Sequence, residues 1–205
     1  YPEESITYYA QWEVDETQTK TLSYTVEYYK DNQKVADDSY GVKEEVWINS
    51  PQTSLTVKPV DTSADKYEGY AFDYTDPSEI PGSIATGSVI KVYYSKDDNG
   101  DEIPDKYQKE VTFKVVNGQW NDGTAGDVKK VVTLTKDGKW SEEGSYTIQA
   151  KDIPGVGEKP ATGYKAGGWD KEAKGVVVDK ESKDLVYTYT YAKDDSQTKT
   201  LSYTV

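Results

Sequence analysis

The sequence predicts a mainly β protein built as two small tandem modules. Tyrosine outnumbers phenylalanine nineteen to two. Tyrosine and threonine suit thin, half-buried strands, where the ring is covered and its hydroxyl stays near water. Apolar residues alternate with polar ones in several short segments, and no long segment repeats at helical spacing. One order of signals (an alternating strand, a Gly-Tyr, a Tyr-rich closing strand) occurs twice in 205 residues, enough for two small cores.

The elements follow in order. Residues 6–14 are strand-like throughout. Residues 21–31 alternate, with Leu22, Tyr24, Val26 and Tyr28 on one face and Thr21, Ser23, Thr25 and Glu27 on the other. Lys30, Asp31, Asn32 and Gln33 supply a turn, and Lys34 begins the return strand of a hairpin. Residues 42–48 and 54–60 are further strands, residues 61–66 suit one helical turn, Gly69-Tyr70 opens a strand to Tyr74, and residues 88–95 close the module. In the second module, Val111, Phe113 and Val115 share a face of the strand over 110–116, and Asn117-Gly118 marks a turn. Strands over 128–135 and 139–148 flank the turn at 136–138, and Gly163-Tyr164 opens a strand towards Trp169. Residues 185–192 close the module with Tyr187, Tyr189 and Tyr191 on one face.

The string QTKTLSYTV stands at residues 18–26 and again at 197–205. An exact repeat of that length predicts one period of a tandem array, which spaces, displays or binds more often than it catalyses. The expected boundaries are 1–15 for the tail of a preceding repeat, 16–95 for the first module and 96–107 for an acidic linker. Residues 108–192 form the second module, and 193–205 the first strand of a following repeat. Neighbouring first and last strands would put each module's ends apart and string the modules into an elongated rod. The duplicated strand also predicts a monomer able to form a strand-exchanged dimer.

Composition excludes several functions. There is no His, Cys or Met, and no Arg along the sequence. Thiol and Ser-His-Asp nucleophiles, ordinary zinc sites and the usual haem ligands are therefore absent. Glycoside hydrolysis by carboxylates needs two acids about 5–10 Å apart in a cleft, and nothing singles out such a pair. The formal net charge of -13 without a basic cluster argues against nucleic acid and anionic lipid. No apolar run approaches the ~18 residues of a membrane span.

The densest acidic run is residues 96–105, KDDNGDEIPD. Asp97, Asn99, Asp101 and Asp105 occupy positions one, three, five and nine of a calcium loop, with the Ile103 carbonyl at position seven. Alternate side chains of such a loop converge on a hard cation. Glu102 replaces the glycine of position six, and Gln108 the bidentate glutamate of position twelve. The ordered spacing favours calcium, which would stiffen the segment between the modules. The other reading is a solvated acidic linker.

Residues 23–31 (SYTVEYYKD), Gly69-Tyr70 and residues 90–94 (IKVYY) resemble a mucin-binding-protein (MucBP-type) repeat. Residues 115–123 (VVNGQWNDG), Ile153-Pro154, Lys159-Pro160, Gly163-Tyr164 and Gly168-Trp169-Asp170 resemble repeats that accompany it. Tyr9, Ala10 and Trp12 resemble the tail of an internalin-type B repeat. The resemblance implies a β-grasp-like fold and a Gram-positive, extracellular, cell-wall-attached adhesin binding host mucin-type glycan or glycoprotein. It maps no binding residues. Trp47, Trp120, Trp140 and Trp169 are the side chains best suited to stack on a sugar, although burial is the commoner fate of such rings. The expected function is a non-catalytic adhesin segment. The alternatives are a stalk with no ligand of its own and a module that binds a host protein such as immunoglobulin through a sheet edge.

Overall fold

The computed structural model describes residues 7–13, 15–197 and 199–204. The chain divides into two compact units between Ser95 and Lys96, which places the acidic run with the second.

Unit 1 contains β1 (Thr19–Lys30), β2 (Gln33–Trp47), β3 (Ser54–Thr56), β4 (Tyr70–Asp76), β5 (Ser83–Ala85) and β6 (Val89–Lys96). Its main sheet has the order β2-β1-β6-β4, and β3 pairs with β5 beside it. The β1–β2 hairpin turns at Asp31 and Asn32, both at positive φ (45° and 65°), as a tight primed turn requires. Leu22, Tyr24, Val26 and Tyr28 are all at most 3 % exposed, so the expected core face of β1 stands. Against them pack Leu55, Ile90, Val92 and Tyr94. The two return strands expected after the turn are one long β2. Its register slips between Val26↔Tyr40 and Tyr28↔Val35, and Ser39 Oγ closes the gap by accepting from Tyr28 N (3.1 Å) and donating to Val35 O (2.8 Å).

Unit 2 contains β7 (Gln108–Val116), β8 (Gly118–Gln119), β9 (Val128–Thr133), β10 (Thr135–Lys136), β11 (Lys139–Trp140) and β12 (Tyr146–Thr147). It continues with β13 (Lys159–Pro160), β14 (Tyr164–Trp169), β15 (Val177–Val178) and β16 (Val186–Lys193). Its main sheet, β9-β7-β16-β14, with the β12–β15 ladder beside it, repeats the plan of unit 1. In both units the first and last long strands are parallel neighbours, β1 with β6 and β7 with β16. The core gathers Val111, Phe113, Trp120, Leu134, Ile148 and Val178. Tyr187, Tyr189 and Tyr191 are buried on one face, as expected. The single strand expected over 139–148 is instead the short β11 and β12, separated by a turn.

A grasp sheet ordinarily packs against a helix; here, among the described residues, only single 3-10 turns occur. No helix forms over 61–66, where one turn was expected; a single hydrogen-bonded turn closes with Lys66 N donating to Ser63 O (3.3 Å). Buried tyrosines hold the segment. Tyr28 Oη donates to Asp61 O (3.0 Å), Tyr94 Oη donates to Ser63 O (2.8 Å), and Tyr24 Oη accepts from Lys58 N (2.9 Å). Unit 2 uses the same device: Tyr191 Oη accepts from Gly157 N (2.9 Å) and Lys159 N (3.1 Å) and donates to Gln119 O (2.8 Å). Coil without its own ladder must find partners for its backbone groups, and these phenols provide them at Lys58, Asp61, Ser63 and Gly157, while Tyr191 also braces the short β8–β13 ladder. The excess of tyrosine over phenylalanine thus follows from a core that must hydrogen-bond as well as pack.

The tail segments depart from expectation. Residues 7–13 form no strand, and Tyr9 and Trp12 are 86 % and 92 % exposed; Ile6 and Val14 lie outside the described residues. Residues 199–204 also form no strand, leaving Leu201 82 % and Tyr203 89 % exposed, whereas their counterparts Leu22 and Tyr24 are buried in β1. Thr198 and Val205 lie outside the described residues. Identical residues take opposite fates because a strand needs a neighbouring ladder and a face to cover.

Candidate binding surface

The outer face of the unit 1 sheet is the most distinctive surface. Thr19↔Trp47, Thr21↔Glu45, Ser23↔Lys43 and Thr25↔Gly41 are directly opposed on β1 and β2. Opposed residues share a face, and Leu22, Tyr24 and Val26 occupy the core side, so these pairs point outward. Trp47 stands at one end, 62 % exposed, at the close of the edge strand β2. Beside it Thr21 Oγ1 donates to Glu45 Oε1 (2.5 Å). Small hydroxyls line the middle of the face. Tyr29 lies at the far end of β1, about 33 Å from Thr19 at the rise of a strand.

There Tyr29, Tyr93 and Tyr74 form a stack across β1, β6 and β4. The ring centroids are 4.9 Å apart at 20° and 4.4 Å apart at 16°. These spacings match that of neighbouring strands, so the rings stand upright and cover one another's faces. Tyr29 Oη donates to Glu27 Oε2 (2.6 Å), and this bond pushes its phenol up to about 12. Glu27 also pairs with Lys34, and the lysine holds its carboxyl below the usual range. Sequence alternation does not anticipate this stack, because Phe72 touches Tyr94 on the core side while Tyr74 meets Tyr93 outside. The consecutive Tyr93-Tyr94, one for each face, was the available signal.

The other tryptophans have different places. Trp120 is 1 % exposed and donates its indole N–H to Gly126 O (2.8 Å). Trp169 is half-buried against Trp120 and Phe113. Trp140 is 41 % exposed on the short β10–β11 ladder, with its ring tilted towards Tyr107. Only Trp47 combines high exposure with a long strand of a main sheet.

The acidic segment folds on its own amides. Asp97, 6 % exposed, accepts from Gly100 N (2.8 Å) and Glu102 N (2.9 Å). Asn99 Oδ1 accepts from Asp101 N (2.9 Å), and Asp101 Oδ1 from Ile103 N (3.1 Å). Asp105 Oδ2 accepts from Asp98 N (3.0 Å). Gln108 bridges Asn99 and Asp101 by accepting from Asn99 Nδ2 (3.0 Å) and donating to Asp101 Oδ2 (2.7 Å). Glu102 takes φ 66°, the left-handed conformation that glycine fills in a calcium loop. Among the described residues no group of three or more Asp, Glu, His or Cys is placed to hold an ion. The five expected ligands thus share one loop, with Asp97, Asn99, Asp101 and Asp105 each accepting from a backbone amide.

A buried ionic cluster in unit 2 is structural. Asp152, 6 % exposed, pairs with Lys130 Nζ through Oδ1 (2.8 Å) and accepts from Tyr146 Oη (2.6 Å) and Gln149 N (2.8 Å) at Oδ2. Burial pushes its carboxyl up, but the Lys130 ammonium and the other two bonds outweigh that and bring it down to about 2. The cluster ties the 3-10 turn at Ala150–Asp152 to β9.

These features define a class of protein: mainly β, with two units of one topology and an open, hydroxyl-lined sheet face that ends in a bare indole. No family model matches the chain, and no curated protein matches it. Among solved structures it is similar to Mub-RV, at 19 % identity over 84 % of this chain and 99 % of that one, with a TM-score of 0.23. It is also similar to the type 2 repeat of the mucus binding protein MUB from Lactobacillus reuteri, at 15 % identity over 84 % of this chain and 100 % of that one, again with a TM-score of 0.23.

Proposed function

We propose that the chain is a non-catalytic segment of a bacterial cell-surface adhesin and that unit 1 binds host mucin-type glycan on the outer face of its sheet. Trp47 supports this reading. A large indole left 62 % exposed on an ordered strand forgoes burial worth about 2 kcal/mol. A pyranose offers an apolar C–H face to cover the ring, and its hydroxyls can bond the Thr21–Glu45 pair beside it. A host protein such as immunoglobulin would instead use the free edge of β2, and a stalk would need neither feature.

The test is surface plasmon resonance of the chain over immobilised mucin, intact and enzymatically stripped of O-glycans, with pooled immunoglobulin as a parallel surface. The expected result is saturable binding to intact mucin that stripping removes. Trp47→Ala should weaken it about thirtyfold, the scale of a hot-spot aromatic. Because Trp47 is exposed, the melting temperature should not move. Unchanged affinity in Trp47→Ala, or binding to immunoglobulin alone, would refute the reading.

We propose separately that residues 97–108 take up calcium. The left-handed Glu102 at position six supports this, since glycine takes that conformation at the same position of a calcium loop. The carboxylates now bonded to amides would have to share their oxygens with the ion. Calorimetric titration of the chain with calcium should give heat that Asp101→Asn reduces and Glu102→Gly increases. No heat at millimolar calcium would reject the proposal.

A further inference from the structure

Tension carried along the chain enters unit 1 at the start of β1 and leaves at the end of β6. It enters unit 2 at the start of β7 and leaves at the end of β16. In each unit those two strands are bonded neighbours and run parallel. The loaded ends of a parallel pair lie at opposite ends of its ladder. Tension therefore slides one strand along the other and strains all the rungs together. A hairpin pulled from its open end gives way one rung at a time.

We propose that the two parallel pairs are mechanical clamps and that the chain bears load along its length, independently of any ligand. In unit 1 the clamp runs from Thr25↔Val89 to Lys30↔Tyr94, and Asp31 N→Tyr94 O (3.0 Å) lengthens it. In unit 2 it runs from Val186↔Thr112 to Thr190↔Val116, lengthened by Thr112 N→Leu185 O (2.9 Å). Val26, Tyr28, Ile90, Val92 and Tyr94, all at most 2 % exposed, keep water off one side of the unit 1 rungs. The tyrosine anchors brace the same strands. Tyr28 on β1 and Tyr94 on β6 both bond the coil at 61–63, so sliding must also tear those bonds. On β16, Tyr189 accepts from Gly167 N (2.9 Å) and Tyr191 holds Gly157 and Lys159.

Single-molecule force spectroscopy tests this in two pulling geometries. The chain has no cysteine, so Asn49→Cys places a unique handle just beyond β2, at an exposed position. Pulling between the N-terminus and residue 49 peels β1 from β2 at its open end. Pulling between the two termini shears both clamps. Rupture force reports the rate of unfolding under load, not equilibrium stability. The expected result is two unfolding events between the termini, each at a force several-fold above that of the 49 geometry at equal loading rate. Equal forces in the two geometries would overturn the proposal. A melting temperature for Asn49→Cys equal to that of the parent shows that geometry alone differs, and Pro51→Cys supplies the same geometry if it is not.

Discussion

Tyr191→Phe should destabilise unit 2 by about 3 kcal/mol, although it removes a single atom. That oxygen serves three backbone groups: it accepts from Gly157 N and Lys159 N and donates to Gln119 O. The residue is 1 % exposed, so water does not readily replace what is lost. Each group left without its partner costs about 1–3 kcal/mol, and partial relaxation of residues 155–160 keeps the total at the lower end. Tyr24→Phe makes the comparison sharp. Tyr24 Oη has one backbone partner, Lys58 N, and its loss should cost about 1 kcal/mol. Urea unfolding of both variants measures the difference. Equal, small costs would mean that the hydroxyls are incidental to rings held by packing alone.

Gly167→Ala should do at least as much damage by a different route. A Cβ there would lie 1.8 Å from Thr190 O and 2.8 Å from Ala192 N, both backbone atoms of β16 that cannot swing aside. Gly167 sits where the β14–β16 register slips between Lys165 and Gly168, and the slip presses the two backbones together. Admitting a methyl group means unpairing the edge strand and withdrawing Gly167 N from Tyr189 Oη. A cost of about 3 kcal/mol is expected, at the upper end for overpacking. Hydrogen exchange should show loss of protection at β14 before the rest of the sheet. Unaltered protection there would contradict the close approach.

The strands with one covered face are legible in the sequence. Leu22, Tyr24, Val26 and Tyr28, and likewise Tyr187, Tyr189 and Tyr191, alternate because one side of each strand meets a core and the other does not. The doubled plan was legible for the same reason. What periodicity misses is whatever depends on partners distant in sequence. Residues 61–66 look able to turn as a helix; they make one turn at Ser63–Lys66, and the phenols of Tyr28 and Tyr94 bond the carbonyls of Asp61 and Ser63. Tyr74 was unreadable as an outer residue because β4 changes face after Phe72. The string shared by residues 18–26 and 197–205 makes the limit plain: Leu22 is buried and Leu201 is bare.

The candidate surface was half legible. Trp47 stood among four tryptophans suited to sugar, and only the register with Thr19 places it outward while Trp120 goes to the core. The spacing of Asp97, Asn99, Asp101, Ile103 and Asp105 marked a calcium loop, and in the structure Asp97, Asn99 and Asp101 accept from backbone amides of that segment.

The most direct measurement of the glycan-binding claim is a titration of the isotopically labelled chain with a released mucin O-glycan, followed by amide and indole chemical shifts. The account predicts saturable shifts at the Trp47 indole and along Thr19, Thr21 and Glu45, with the Trp120 indole unmoved. Saturable shifts confined to unit 2, or no shifts at millimolar glycan, would contradict it.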